Sequence, residues 1–220
     1  MMGARGQVKV CRLRKGMVNR MKAEEKSLKA ENRIMDAALQ VVKENTISGT
    51  RMHLIANKAD MVQSNLHYYY KTKDDLMYGL QKRVLNRCRE LKKELREHSA
   101  DTLESQLDVF IRQKMIFVLE EKQYDFAEID FWVQSRINEK IRRDFAESFA
   151  DWRKDISDIL DRYAADIPAE KRKYLPHIIL SLLEGVTLQY LVDEECMDVE
   201  EYFAEVKALI IDKINSCRAK

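Results

Sequence analysis

The chain has 220 residues, 45% of them apolar and 35% charged, which suffices for one or two domains with a packed core. Only two prolines and six glycines interrupt it, which favours long helices. No apolar run approaches the about 18 residues of a membrane span and no secretory leader is evident, so we expect no membrane insertion and a cytoplasmic location. The four cysteines show no metal-binding spacing and are predicted to be free thiols.

The net charge of +2 conceals a division of charge along the chain. Residues 1–98 hold 22 Lys and Arg against 11 Asp and Glu, whereas residues 99–220 hold 17 against 26. A basic half suits a phosphate-bearing partner, because neutralising phosphates releases their counterions. An acidic half would be repelled by DNA. The pattern indicates a nucleic-acid-binding part followed by a part with another task.

Residues 1–26 form a basic segment without apolar periodicity. We predict a flexible arm whose cations follow the DNA backbone or enter the minor groove. Two alternatives stay open, namely a disordered tail without a role and a protein that starts at Met17 or Met21. The cations of this segment are Arg5, Lys9, Arg12, Arg14, Lys15, Arg20, Lys22 and Lys26.

A first helix is predicted from about Ser27 to Asn45, followed by two short helices at about 51–58 and 62–69 with a polar break between them. Thr50 stands where the N-cap of the first short helix is expected. This layout is that of a helix-turn-helix, whose second helix enters the major groove of DNA. The residues predicted to hold the two short helices at their angle are Ile55, Ala56, Ala59, Met61, Leu66 and Tyr69.

The motif resembles that of the tetracycline-repressor-like (TetR) family of regulators. Residues 56–76 read ANKADMVQSNLHYYYKTKDDL, which is similar to the family pattern A-x-x-A-G-V-S-x-G-x-L-Y-x-Y-F-x-x-K-x-x-L, and IMDAALQVVKEN at 34–45 is similar to the helix before it. Asp60 and Ser64 replace glycines of the pattern, and Val62 replaces a small residue. Asp tolerates the left-handed conformation of the turn better than most residues. The changes at Val62 and Ser64 mean that an operator sequence cannot be transferred from relatives.

The resemblance implies which residues meet DNA, and they are Thr50, Arg51, Gln63, Ser64, Asn65, His67, Tyr68 and Lys73. Thr50, Tyr68 and Lys73 are of types that bond phosphates and so position the motif. Gln63 and Asn65 can pair with adenine or other base edges. The alternative is that these residues form an ordinary polar surface.

Beyond the motif every apolar pattern has helical spacing, and no strand is predicted. Thr72 is expected to cap a long helix that ends near residue 97 and joins two domains. Five more helices are predicted at 103–118, 124–136, 138–165, 176–192 and 198–217, the last opened by Asp198 as its N-cap. The expected architecture is all-α with about nine helices, divided into the basic arm 1–26, a helix-turn-helix domain 27–76 and a larger domain 77–220.

Residues 131–156 and 182–203 are similar to the C-terminal domain of choline/betaine-type members of the family. That resemblance implies a ligand cavity among the fifth to eighth predicted helices. Aromatic walls and a carboxylate would favour an apolar or cationic molecule. The predicted pocket residues are Phe110, Met115, Phe131, Trp132, Gln134, His177 and Glu184. The alternative is that the aromatic residues among them are simply core.

The last two predicted helices carry long apolar faces, with Gly185 allowing close approach of another helix. The resemblance favours an antiparallel four-helix dimer interface over an internal core. The residues predicted to form it are Ile179, Leu183, Val186, Tyr190, Val206, Leu209 and Ile210.

These features predict a homodimeric, ligand-responsive transcriptional regulator, a repressor released from its duplex DNA operator by a small molecule. One alternative is a DNA-binding architectural or division-linked protein without an inducer, and another is a helical ligand-binding or enzymatic protein whose motif has lost its role. The four histidines lack metal spacing, and neither a phosphate-binding glycine loop nor a nucleophile motif is present. No metal site, cofactor or enzymatic activity is therefore predicted.

Overall fold

The computed structural model describes residues 4–218, with side chains from Arg20 onward. Within that range the regular structure is entirely helical, which confirms the all-α prediction. The helices in chain order are α1 (Ala4–Gly49), α2 (Met52–Lys58), α3 (Gln63–Tyr69), α4 (Lys73–Glu97), α5 (Leu103–Leu119), α6 (Lys122–Gln134), α7 (Glu139–Tyr163), the one-turn α8 (Ala169–Arg172), α9 (Leu175–Val192) and α10 (Val199–Arg218).

Helix starts are defined by side chains that bond the free backbone N–H groups of the first turn. The Thr72 hydroxyl accepts the N–H of Asp75 at 3.1 Å and the Asp75 carboxylate accepts the N–H of Thr72 at 3.1 Å, a reciprocal capping box that opens α4 as predicted. Asp198 caps α10 by accepting the N–H groups of the second and third residues of the helix at 2.9 and 3.0 Å. The prediction for Thr50 is wrong, because its hydroxyl donates to the Thr46 carbonyl at 2.7 Å and the N-cap of α2 is Arg51.

Helix α1 begins at Ala4, so the segment predicted to be a flexible arm is helical from that residue on. Charge pairs one turn apart support the helix, with Arg20 bonded to Glu24 at 3.0 Å and Lys29 bonded to Glu25 at 2.6 Å. The missing apolar periodicity nevertheless has a structural counterpart, since every residue from 20 to 26 is exposed. Residues with high helix propensity can form a helix that has no buried face. The missing apolar periodicity was therefore no evidence against a helix in this segment.

Two hydrophobic cores organise the described chain. The amino-terminal core joins α1, α2, α3 and the first half of α4 to four residues from the second predicted domain, Ala127, Phe131, Ile141 and Phe145. The carboxy-terminal core joins α5, α7, α9 and α10, with Phe110, Ile156 and Leu183 at its centre. The predicted boundary between residues 76 and 77 therefore lies inside a shared core, because α6 and α7 cover the helix-turn-helix domain.

The stretch Ala169–Val192 is long and apolar enough, by length and composition, to cross a membrane. Within it Leu175, Ile179, Leu183 and Val186 recur every three or four residues and are buried in the carboxy-terminal core. The face of α9 that carries these residues therefore packs inside the protein, as in the central helix of a globular domain.

Three cysteines have described side chains, and all three are free thiols, as predicted. Cys88 and Cys217 are buried, whereas Cys196 is exposed. Cys11 lies outside the residues whose side chains the structure describes.

Candidate nucleic-acid interface and effector region

The helix-turn-helix is held together by the apolar positions predicted from its spacing. Ile55, Ala56, Ala59 and Leu66 are all buried, with exposed fractions of 2% or less. The turn between α2 and α3 places Asp60 at a φ of 49°, the left-handed conformation that the substitution of glycine by aspartate was expected to tolerate. These contacts fix the direction in which α3 leaves the protein surface.

The outward face of α3 is polar and exposed. Gln63, Ser64, Asn65 and Tyr68 all reach solvent, and 73% of the Tyr68 surface is exposed. His67 is half-buried, with Nε2 lying 3.3 Å from Nε2 of Gln63 and Nδ1 lying 3.2 Å from the Lys71 carbonyl. A neutral ring that donates from Nδ1 and accepts at Nε2 satisfies both contacts. His67 thus orients the side-chain amide of Gln63.

Two cations lie together at the Ser48 carbonyl. Arg51 is exposed and donates from Nη1 to the Ser48 carbonyl at 2.8 Å, and Lys73 donates from Nζ to the same carbonyl at 3.4 Å. Burial and the neighbouring Arg51 lower the pKa of Lys73. A bound phosphate would reduce the repulsion between these two cations and would raise the pKa of Lys73 again.

Thr50 does not belong to the exposed set. Its side chain is fully buried and its hydroxyl is bonded to Thr46, so the predicted DNA contact of this side chain is not available in the structure. Position 50 follows the end of α1, where the chain turns inward before α2. A threonine hydroxyl in such a turn can form a hydrogen bond with a nearby backbone carbonyl instead of with a ligand.

A polar joint links α6 to the segment that leads into the motif. The Asp130 carboxylate accepts the N–H of Ile47 at 2.9 Å, and Gln134 donates from Nε2 to the Ser48 hydroxyl at 3.3 Å. The preceding residue, Thr46, has φ 59° and ψ 168°, a conformation unusual for a β-branched residue, and it kinks α1. Backbone strain at this point lies directly between the second domain and the helix-turn-helix.

The predicted pocket residues do not line one cavity. Phe110 is buried in the carboxy-terminal core and Phe131 in the amino-terminal core, so they pack in different cores. His177 is exposed, and Gln134 belongs to the joint with Ser48. Met115 packs against the carboxy-terminal core and Trp132 against the amino-terminal core. The prediction of a common pocket is therefore wrong. Helical spacing identifies the face of a helix that is buried, but it does not show which of the two cores that face packs against.

Glu184, the seventh predicted pocket residue, belongs to a buried charge cluster. The ammonium of Lys114 bonds Glu184 at 2.6 Å and Asp125 at 2.7 Å, and lies 3.8 Å from Glu128. Lys114 is only 1% exposed, and the side chains of Glu128 and Glu184 are 14% and 13% exposed. The Thr187 hydroxyl donates to Asp125 at 3.2 Å. We name Lys114, Asp125, Glu128 and Glu184 the charge cluster.

The charge cluster has more anions than cations. Burial by itself would lower the pKa of Lys114, but the carboxylates of Glu184, Asp125 and Glu128 raise it above its usual value, so the ammonium stays charged. Burial and the neighbouring Glu184 raise the pKa of Glu128 to about 8. A proton on Glu128 therefore removes part of the excess negative charge near neutral pH.

Sequence reasoning recognised only Glu184 of this cluster. A signal was present, since Lys114 interrupts the apolar stripe of α5 between Phe110 and Phe117. A lysine inside such a stripe is either directed outward or paired with acids, and its partners lie on α6 and α9.

The predicted dimer residues are mostly part of the protomer's own core. Ile179, Leu183, Val186, Val206 and Ile210 are buried in the carboxy-terminal core and cannot meet a second subunit. Tyr190 is partly buried against the same core, and Leu209 remains 58% exposed. The dimer prediction fails for the same reason as the pocket prediction. Both faces of α9 and α10 carry apolar residues, so their spacing does not show which face is buried inside the protomer. The other face exposes Ile178, Leu188, Leu191 and Val192.

Residues 34–78 match the family model described as bacterial regulatory proteins, tetR family. The helix-turn-helix segment of this chain is therefore of the tetR-family type. The chain is 29% identical over 127 residues to an uncharacterised HTH-type transcriptional regulator in the dhlA 5′ region of Xanthobacter autotrophicus, and the match covers 54% of this chain and 63% of that relative's length.

Solved structures extend the likeness over most of the length of this chain. A transcriptional regulator from Rhodococcus sp. RHA1 aligns over 86% of this chain and 98% of its own, with a TM-score of 0.73 and 13% identity. A proposed transcriptional regulator from Saccharomonospora viridis, solved in complex with choline, aligns over 85% of this chain and 96% of its own, with a TM-score of 0.72 and 17% identity. At these identities the likeness is one of fold.

The charge cluster predicts a measurable pH dependence of stability. Glu128 has a folded pKa of about 8, well above its unfolded value of 4.5, so the folded state holds its proton more tightly. The stabilisation from that proton is complete below the unfolded pKa and is lost as pH rises towards 8. The slope approaches about 1.4 kcal/mol per pH unit for one proton. Chemical denaturation of wild type and Glu128→Gln between pH 5 and 9 measures it.

The glutamine variant keeps the shape of Glu128 but cannot titrate. The difference between the two stability curves should therefore fall with rising pH and level off above about pH 8. Lys114, Asp125, Glu184 and Cys88 surround the site in both proteins. Because Glu128 and Glu184 influence each other's pKa, the difference between the curves reports this carboxylate pair and not Glu128 alone. Parallel curves across the range would contradict the assignment.

Proposed function

We propose that this protein is a homodimeric transcriptional regulator, acting as a repressor in the cytoplasm, that binds duplex DNA through α3 and is released by a small molecule. The observation that carries the proposal is the exposed polar face of α3, anchored by a buried apolar face and accompanied by the cations Arg51 and Lys73 at the Ser48 carbonyl. Such a helix fits the major groove, where base edges differ in their donors and acceptors.

The residues of this face divide into two tasks in the proposal. Gln63 and Asn65 read base edges, with Gln63 oriented by His67. Arg51 and Lys73, whose cationic groups bond the same Ser48 carbonyl, pair together with phosphate at one edge of the groove and set the register of the motif. Ser64 and Tyr68, both exposed on α3, add hydrogen bonds to the backbone of the duplex.

The proposed effector is an organic cation that acts at the charge cluster. Three carboxylates there share one ammonium, so a second cation would relieve the excess negative charge. The choline bound by the structurally similar Saccharomonospora protein is a molecule of that class. Asp125 and Glu128 lie on α6, and the same helix bonds the chain before α2 through Asp130. A shift of α6 would therefore reach the DNA-binding motif.

A second function is favoured by one observation. The side chain of Lys114 fills the region between α5, α6 and α9, where an effector would otherwise lie. A DNA-binding protein without an inducer would have such a filled interior. The two functions differ in whether any small molecule changes both thermal stability and DNA affinity.

The first prediction for this function separates base reading from phosphate pairing. Gln63→Ala should change the preference at one base pair of each half-site, by about 1–3 kcal/mol. Lys73→Ala should weaken binding to all duplexes alike and lower the log–log salt slope by about one unit. Fragments selected from the genomic DNA of the source organism supply the operator, and a scrambled duplex is the comparison. Lys93→Ala, a change at an exposed position on the far end of α4, is the control.

If Gln63→Ala lost the same affinity for operator and scrambled duplex, base reading by this residue would be refuted. If the wild-type protein bound no duplex with salt dependence, the proposed function itself would fail.

The second prediction concerns the dimer. Leu188 and Leu209 are 53% and 58% exposed, and a Cβ added at Gly185 would meet no neighbouring atom, so the protomer leaves room for a partner on this side. Leu188→Asp and Leu209→Asp should convert a dimer to monomer, since each buries a charge at the contact. Sedimentation at micromolar concentration measures this, with Ile137→Asp, at another exposed apolar position of 85% exposure, as the control. A wild-type monomer under these conditions would rule out the interface.

The third prediction concerns the effector. Quaternary ammonium compounds should raise the melting temperature and release DNA at the same concentrations, because binding to one state shifts the equilibrium towards it. Glu184→Gln, which removes one carboxylate of the charge cluster, should weaken both responses together. A screen in which only polyanionic metabolites scored in both assays would contradict a cationic effector, and a screen without any joint response would favour the function without an inducer.

A further inference from the structure

Helix α1 carries a row of cations beyond the part that packs in the amino-terminal core. Lys22, Lys26, Lys29 and Arg33 follow one another at intervals of four, three and four residues, which places them on one face of the helix. All four are exposed. We name these four residues the α1 ridge.

The ridge lies beside the recognition helix. A cleft of about 680 Å³ separates them, with Lys26, Lys29 and Arg33 on one wall and Asn65 and Tyr68 of α3 on the other. Arg33 also donates from Nη2 to the Asp60 carbonyl at 3.4 Å, which ties the end of the ridge to the turn of the motif. The cations and the proposed DNA-reading residues therefore face one another across a single cleft.

The acids of this stretch do not neutralise the whole ridge. Glu24 is bonded to Arg20 at 3.0 Å, outside the ridge, and Glu25 is bonded to Lys29 at 2.6 Å. Both pairs are largely exposed, so a phosphate can compete for their cations at small cost. The exposed residues between 20 and 29 include few large apolar side chains, Met21 and Leu28, which is too little for a hydrophobic partner.

We propose that the α1 ridge is a second DNA-binding surface, which pairs with the phosphate backbone of the same duplex that α3 enters. The proposal rests on the proposed function, since it needs the duplex to lie against α3. One duplex strand would then pass through the cleft between α1 and α3, with cations on one side and Asn65 and Tyr68 on the other. The contacts are to phosphates, so they add affinity and salt dependence without adding sequence preference.

The sequence continues the same spacing towards the amino end. Lys15 stands seven residues before Lys22, Arg12 three before Lys15, and Arg5 seven before Arg12.

The test compares the full-length wild type with the triple variant Lys22→Gln, Lys26→Gln, Lys29→Gln. Arg33 is left unchanged because it is bonded to the motif. The control is the triple variant Lys93→Gln, Lys154→Gln, Lys173→Gln, which removes the same charge from exposed positions on α4, α7 and the residue after α8. Binding to operator and scrambled duplexes is measured between low and physiological salt. The ridge variant should lower the magnitude of the log–log salt slope by about two to three for each bound protomer, at about 0.9 per phosphate contact, on both duplexes.

The control variant should keep the wild-type slope. Equal slopes for wild type and ridge variant would overturn the proposal while leaving DNA binding by α3 intact. A wild type without salt-dependent binding to any duplex would instead refute the proposed function. Vesicles of anionic phospholipid form a further arm, and ridge-dependent binding to them with an unchanged DNA slope would show a membrane surface and also overturn the proposal.

Discussion

Helix α6 is the element on which the arrangement of the other helices depends, because it contributes to the amino-terminal core and makes polar contacts with α5 and with the chain before α2. Ala127 and Phe131 are fully buried in the amino-terminal core, where they cover the helix-turn-helix from the side of the second domain. Asp125 and Glu128 turn towards Lys114, and Asp130 bonds the chain at Ile47. A helix with three engaged faces cannot move without changing at least one of these contacts.

The charge cluster is the costly part of this arrangement. Removing several charges from water is unfavourable, and their mutual attraction repays the cost only when the geometry is good and the remaining groups are satisfied. Lys114 meets two carboxylates at hydrogen-bonding distance, while Glu128 stays at 3.8 Å and holds a proton up to a pKa of about 8. Because the charges of this buried cluster do not cancel, its free energy changes when a proton or another cation binds. Such a response is a suitable property for a regulatory site.

The two proposed DNA-binding surfaces differ in how they are stabilised. The α3 face is built by burial of Leu66 beneath it, so its geometry is set by the protein core. The α1 ridge has no comparable support between residues 20 and 26, all of which are exposed. It is stabilised only by helix propensity and charge pairs one turn apart, each worth about 0.2–0.5 kcal/mol. Phosphates along the ridge would supply the interactions that the core does not.

Local patterns in the sequence determined the helical class, most helix boundaries and the buried face of the helix-turn-helix. The capping box of Thr72 and Asp75 and the spacing of Ile55, Ala56, Ala59 and Leu66 depend on residues within one or two turns, so they can be read without a structure. The tertiary structure alone decided which core each apolar face enters. Phe110 and Phe131 share a pattern but pack in different cores. Leu183 on α9 is buried, whereas Leu209 on α10 is 58% exposed. Helical periodicity defines a face relative to its own axis, whereas burial depends on neighbours that are distant in sequence. The pairing of Lys114 with carboxylates 11 and 70 residues away is of the same kind.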